Sequence, residues 1–417
     1  MKKLSLTVIV FVLLISDSYS QWILQYSPPQ SQSSYVLNFF DDITGYYSGV
    51  LYNSSTNNIY KTTNGGLNFT AQNSGLTAQR FMAISMKHPD TVFISGNYGK
   101  ILRTYNGGNN WNLIYSDTLI QFWGLFFVNS NTGFAAGSYG RIMKTTNKGD
   151  NWVIQTAPTS TALDGIYFID ENTGYIGGAN VFLKTIDGGQ TWVNKVGLFI
   201  SPFETAQAVY FSDVNTGYYC TNTTNCRIVK TTNGGDTWNL INSIDNIGAG
   251  WDMSFTNANT GFVCTGAGKV LKTTNAGLNW GVQNTPLTEN LYAMDFPSAN
   301  TGYISTWSGK VLKTTNGGLT FVGRTNNEIP TGFDLKQNYP NPFNPSTTIE
   351  FSVSSKTLTI LKVYDINGRE VVSLLNQILE PGNYSVPFTP ENLSSGVYLY
   401  RLYSENNVLT KKMILQK

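Results

Sequence analysis

The stretch KTTNKGDNW, Lys144 to Trp152, is one of seven copies of a single nine-residue pattern. A basic residue, Thr and one residue of any type lead to Asn or Asp, then Gly two positions on, then Trp or Phe three further. The other copies are KTTNGGLNF at Lys61, RTYNGGNNW at Arg103, KTIDGGQTW at Lys184, KTTNGGDTW at Lys230, KTTNAGLNW at Lys272 and KTTNGGLTF at Lys313, with a mean period of 42 residues. Two further signals precede each copy. Asn-Thr-Gly-Phe/Tyr recurs at Asn131, Asn172, Asn215, Asn259 and Asn300, with ITGY at Ile43 and a Gly-less PDTV at Pro89. A Phe stands six residues before that Gly, at Phe39, Phe127, Phe168, Phe211, Phe255 and Phe296, with Met86 opposite Val92.

Each unit therefore reads as four short strands, here called a to d. Strand a ends at the Phe, b starts at the Gly, c runs into the basic-Thr pair, and d starts at the Trp or Phe. Four strands on a period near 42 predict a β-propeller blade, and seven copies predict seven blades. Asn or Asp bonds nearby amides in the c–d turn, while Gly supplies positive φ. Two segments compete for the last d position. Gln21–Gln25 resembles a strand d, and Phe321–Arg324 belongs to the seventh copy itself; the sequence leaves the choice open.

Working outward, the two ends change character. Met1–Ser20 has two Lys, an apolar run over Leu4–Ile15 and small residues at Ser18 and Ser20, so a signal peptide over 1–20 is expected. The mature chain then starts near Gln21, and the expected propeller spans 21–326. No Cys follows the cleavage site, which argues against a lipoprotein, and no transmembrane span is expected in the mature chain. Asn326–Ser346 is Pro-rich and reads as a linker over 327–346 that leads into extended structure. Strands are expected at Thr348–Val353, Thr357–Tyr364, Glu370–Leu375, Gly382–Pro387 and Val397–Ser404. The Asn367-Gly368 turn sits between the second and third of these. The fold class is all-β, a propeller followed by a small immunoglobulin-like β-sandwich over 347–417.

The residues at that end resemble a known family. NYPNPFNPSTTIEFSV, VYDINGREV, LSSGVYLYRL and the terminal KKMILQK are similar to the C-terminal sorting domain of the type IX secretion system. The resemblance implies a partner, the type IX machinery. It also implies release from, or attachment to, the surface of a Gram-negative bacterium of the Bacteroidetes–Chlorobi kind. The nine-residue core resembles the Asp-box or BNR repeat, and the whole unit is similar to propellers related to photosystem II assembly factors. The box Asp is Asn in six copies, with Asp187 the exception. The box is a structural signature and implies no catalysis.

Composition narrows the function. Charged residues are 12% of the chain, aromatics 13%, the net charge is +2, and there are one His and three Cys. These values disfavour a zinc enzyme, a His-based hydrolase and nucleic-acid binding. No catalytic residue, metal site or cofactor is expected. The ligand is expected at the propeller mouth, where d–a and b–c loops meet. Counting four back from each strand-a Phe gives Tyr35, Met82, Trp123, Asp164, Gln207, Trp251 and Tyr292. The b–c loops add Tyr98, Tyr139 and Trp307. Aromatics there suit a sugar or a protein hot spot; packing between blades is the plainer alternative. Lys100, Arg141, Arg227, Lys269 and Lys310 begin strand c. They are either rim residues lying along the strands or a basic ring for an acidic ligand, with Arg141 placed in the expected site. Cys220 and Cys226 flank a short loop, so a disulfide is plausible in a secreted chain; Cys264 occupies a position that elsewhere holds a small residue.

The expected function is that of an exported binding propeller with an unknown protein or carbohydrate ligand. The alternatives are an Asp-box glycoside hydrolase or an envelope assembly factor. A sialidase-like hydrolase needs an arginine triad, and Arg80, Arg103, Arg141, Arg227 and Arg324 are the arginines on offer. Paired-carboxylate chemistry would draw on Asp164 and Asp252.

Overall fold

The structure, a computed structural model, describes residues 22–416 apart from 30–32, 51–57, 78, 196, 198, 200, 202, 316, 319–322, 327–329, 345, 389, 391–392 and 405–406. The expected signal segment and Phe321 lie outside the described residues.

Seven four-stranded antiparallel sheets follow one another along the chain. Blade 3 is typical: Phe122–Phe127, Gly133–Gly137, Ile142–Thr145 and Val153–Gln155 pair in that order. The c–d turn is built as the box predicts. Thr145 Oγ1 donates to Asn147 Oδ1, the Gly149 amide donates to Thr145 Oγ1, and the Asn151 amide donates to Asn147 Oδ1. Asp187 accepts the same amide bond, from Thr191, plus the Thr191 hydroxyl. These bonds hold its carboxyl down at about 2. Asn keeps the accepting oxygen, so the Asp-to-Asn change leaves the turn intact.

The Asn-Thr-Gly signal has a packing cause. In blade 3 Phe127 pairs across the ladder with Gly133, and a Cβ on Gly133 would stand 2.7 Å from the Phe127 ring. Gly174, Gly217, Gly261 and Gly302 meet their own Phe rings in the same way. Blade 2 solves the problem differently, pairing the slimmer Met86 with Val92. Each strand-a Phe then stacks on the strand-b aromatic of the preceding blade. Phe127 lies 3.7 Å from Phe93, Phe168 3.9 Å from Phe134 and Phe211 3.7 Å from Tyr175. The box Trp closes the sandwich edge-on, as Trp152 does against Phe127. Such aromatic pairs add to simple area burial.

The box lysines tie blades together. Lys144 Nζ lies over Phe134 of its own blade and donates to the Gly188 carbonyl in the next turn. Lys184, Lys230 and Lys272 repeat this with Gly234, Ala276 and Gly317.

Ring closure is decided by the N-terminal strand. Ile23–Tyr26 pairs with Val311–Thr314 and supplies strand d of the seventh blade. Trp22, fully buried, meets Phe296 edge-on as a box Trp would. Across the seam Phe39 stacks on Tyr303 at 3.6 Å, Lys313 reaches the Gly65 carbonyl, and the Tyr303 hydroxyl donates to the Asp42 carbonyl. Gly323–Asn326, from the seventh copy, instead pairs with Gly382–Phe388 of the C-terminal region.

That region forms two more four-stranded sheets. One holds Gly323–Asn326, Gly382–Phe388, Thr347–Val353 and Asp334–Leu335. The other holds Glu370–Leu379, Thr357–Tyr364, Gly396–Ser404 and Asn407–Leu415. Their shared core includes Leu335, Phe343, Phe351, Leu361, Leu402 and Met413. The Pro-rich stretch thus enters the sandwich from Leu335 onward. The strand Asn407–Leu415, read only as a motif in the sequence, is the full-length edge partner of Gly396–Ser404. No helix among the described residues is long and apolar enough to cross a membrane.

Candidate functional site

Strand a of every blade lines the axis, and each breaks register with strand b near its start; blade 2 has a second break between Met86 and His88. The breaks near the start fall at Tyr35, Met82, Trp123, Gln207, Trp251 and Tyr292, and in blade 4 at Asp164 and Gly165. These are β-bulges, which re-aim a side chain out of the regular ladder. All seven residues found by counting back from the Phe line one cavity of about 490 Å³, and all are half-buried. Below this ring the wall turns aliphatic with Leu37, Ile84, Leu125, Ile166 and Val209.

One side of the mouth is aromatic. Tyr292 lies 4.6 Å from Trp251 and 5.0 Å from Tyr35, and Trp307 touches both tyrosines at 5.7 and 5.8 Å. The Arg80 guanidinium sits 5.1 Å from the Tyr35 ring. Two carboxyls also line the cavity, Asp252 next to Trp251 in blade 6 and Asp164 in blade 4. Asp252 accepts the Met253 and Met294 amides and so bridges blades 6 and 7. Burial still pushes its carboxyl up to about 7. Asp164 is pushed up to about 6 by burial, opposed by the Gln207 amide at 3.5 Å.

The remaining expected residues fall elsewhere. Tyr98 and Tyr139 stand at positive φ in the b–c turns, are exposed, and do not line the cavity. Arg141 follows Tyr139 at the start of strand c and is likewise outside the lining. The other strand-c basic residues are largely engaged. Arg227 is buried against Glu204 at 2.6 Å, Lys310 pairs with Glu289 at 3.0 Å and Lys269 donates to Asn284. This corrects a free basic ring, because neighbouring loops supply the compensating groups. The arginines do not converge on one point either. Arg103 pairs with Asp150 at the c–d turn, and no arginine lines the cavity among the described residues.

Cys220 and Cys226 stand as two buried free thiols, not as the expected bridge. Both sulfurs lie against Gly250, where an added Cβ would stand 2.7 Å from Cys226 Sγ and 3.1 Å from Cys220 Sγ. Burial pushes both thiols up. They pack with Ile228, Met253 and Val263 as small apolar groups. His88 ends strand a of blade 2 and is exposed beside Asp90.

Sequence reasoning missed the bulge. A one-residue break in register leaves no mark in hydrophobic alternation, although the fixed spacing to the Phe located its position.

Comparisons with known proteins agree with this architecture. Residues 337–416 match a family model described as the secretion system C-terminal sorting domain. Residues 144–283 match one described as photosynthesis system II assembly factor YCF48. No curated protein matches the chain. Among solved structures, one described as YCF48 bound to D1 peptide is similar with a TM-score of 0.58 at 18% identity, over 71% of this chain and 96% of that one. YCF48 from Cyanidioschyzon merolae gives 0.57 at 18% identity, over 70% of this chain and 98% of that one. The WD40 propeller domain of Doa1 gives 0.54 at 10% identity, over 71% and 97%. The chain thus joins a YCF48-like seven-bladed propeller to a type IX secretion sorting domain, which implies secretion or an outer-surface location in a Bacteroidetes-type Gram-negative bacterium.

Proposed function

We propose that the chain is an exported, non-catalytic propeller that binds a protein or polysaccharide ligand at the mouth of its axial cavity. The observation that carries this reading is the convergence of seven bulge residues, four of them aromatic, on one cavity of about 490 Å³. That volume falls in the range of natural ligand pockets. Tyr35, Trp123, Trp251, Tyr292 and Trp307 supply the contact area. Tyr98, Tyr139 and Arg141 stand further out, where they would meet only a ligand larger than the cavity. Export through the sorting domain brings the propeller to ligands at or beyond the cell surface. Engagement of the type IX machinery belongs to the C-terminal sandwich.

Two observations weigh against a sialidase-like hydrolase. Arg103 and Arg227 are held in ion pairs away from the axis, and Asp252 is occupied with two backbone amides. An assembly role is the second reading, supported by the likeness to the YCF48 model. The test uses the exported chain on a glycan array and in a pull-down from surface extracts. Trp123→Ala and Trp251→Ala should each weaken capture at least tenfold with an unchanged unfolding midpoint. Unchanged capture by both variants would overturn this site.

A further inference from the structure

The cavity has a charge asymmetry that its aromatic residues alone do not explain. Asp164 and Asp252 both line it, and no Lys, Arg or His does among the described residues. The two acids differ in their bonding. Asp252 has backbone amides on both oxygens, from Met253 and Met294. Asp164 has one long contact, 3.5 Å from the Gln207 side-chain amide. It sits at a bulge where Asp164 and Gly165 together stand against the single Gly177 of strand b. The geometry therefore gives Asp164 accepting capacity directed to the axis and uses Asp252 to join blades.

The rest of the wall fits the same kind of ligand. Trp251, Tyr292, Tyr35 and Trp307 form a contiguous arc of aromatic rings, a kind of group that attracts cations. One member already does so, since the Arg80 guanidinium lies 5.1 Å from the Tyr35 ring. The deeper wall of Leu37, Ile84, Leu125, Ile166 and Val209 is aliphatic. A sugar ring lowered that far would leave hydroxyls without partners, at a cost. A long aliphatic stem ending in a cation can cover apolar wall and still reach a carboxylate.

We propose that the axial cavity takes a lysine or arginine side chain of a peptide, with Asp164 accepting from its cationic head and the aromatic arc flanking it. This deepens the binding reading and rests on it. Its recognition terms are distinct: a charge-assisted hydrogen bond to Asp164, screened by salt, and apolar contact with the stem.

The test is a titration of the exported chain followed by intrinsic Trp fluorescence and calorimetry. The probes are blocked pentapeptides, Gly-Gly-Lys-Gly-Gly and its arginine, acetyllysine and glutamate counterparts, with a glucosamine trimer as a separate arm. The lysine or arginine peptide should saturate the signal. Acetyllysine, which keeps the stem and loses the charge, should bind at least tenfold more weakly. Asp164→Asn should weaken the lysine peptide by about tenfold and leave the unfolding midpoint unchanged. Equal binding of lysine and acetyllysine, indifference to Asp164→Asn, or no binding of either basic peptide would overturn the proposal. Binding of the glucosamine trimer without the peptides would overturn it in favour of an amino sugar. Trp123→Ala separates the two readings: capture from surface extracts lost on that change but indifferent to Asp164→Asn keeps the cavity as the site and discards the cationic ligand.

Discussion

Gly133 and Phe127 show how one blade is specified. The ring lies over the glycine, and the same ring stacks on Phe93 of the neighbouring blade. Gly133→Ala should therefore push the ring off its neighbour. The expected cost is about 1–3 kcal/mol, the range for overpacking a filled core, read as a lower urea midpoint. Blade 2 shows the compensation that nature of the site allows, Met86 opposite Val92. The double change Phe127→Met with Gly133→Val should recover part of the loss. A double variant no better than Gly133→Ala would mean that the stacked ring matters more than the clash. The box residues were legible in sequence at this scale because their bonds are local. Thr145, Asn147 and Gly149 satisfy one another within five residues, so any fold containing the turn needs them. Cys220 and Cys226 were less legible. Their spacing permits a bridge, while the pocket around Gly250 accommodates two thiols.

At the scale of elements, the seventh blade depends on a strand from the other end of the chain. Ile23–Tyr26 supplies its hydrogen bonds, and Trp22 fills the place of a box Trp, with its indole N–H donating to Gln283. Both ends of the propeller are therefore fastened in one sheet, as in closed rings that leave only short edges. Trp22→Ala should cost about 3–5 kcal/mol, the range for emptying a large buried aromatic. Near-ultraviolet circular dichroism and urea unfolding would report it. A loss below about 1 kcal/mol, the scale of a single hydrogen bond, would show that the strand is not essential to closure. The strand-a bulges belong to this scale too. Each lies at the same distance before the strand-a Phe, or before Met86 in blade 2, and together they turn seven residues of five types toward one axis.

Over the whole molecule, propeller and sorting domain share backbone. Gly323–Asn326 follows the last box and pairs with Gly382–Phe388 in the sandwich. The last described strand, Asn407–Leu415, completes the opposite sheet and buries Met413 and Leu415. A chain ending before Asn407 loses that core and leaves Gly396–Ser404 as an open edge. It should accumulate in the periplasm with its propeller folded, as fractionation and the propeller's unfolding midpoint would show. Undiminished export of that chain would separate sorting from the integrity of the sandwich.

The sequence by itself determined the number of blades, the order of strands within each, the box turns and the C-terminal sorting domain. These rest on contacts between residues close in the chain, repeated seven times, and repetition makes a local rule visible. It also indicated which strand-a residues gather at the axis, since a fixed offset in identical blades gives a fixed place in the ring. The tertiary structure decided which terminal strand closes the seventh blade, where Gly323–Asn326 goes, which basic residues find acidic partners, and that Asp164 and Asp252 share a cavity without playing the same part. Each of these turns on groups far apart in the chain competing for one partner, and only the folded arrangement sets which of them meet.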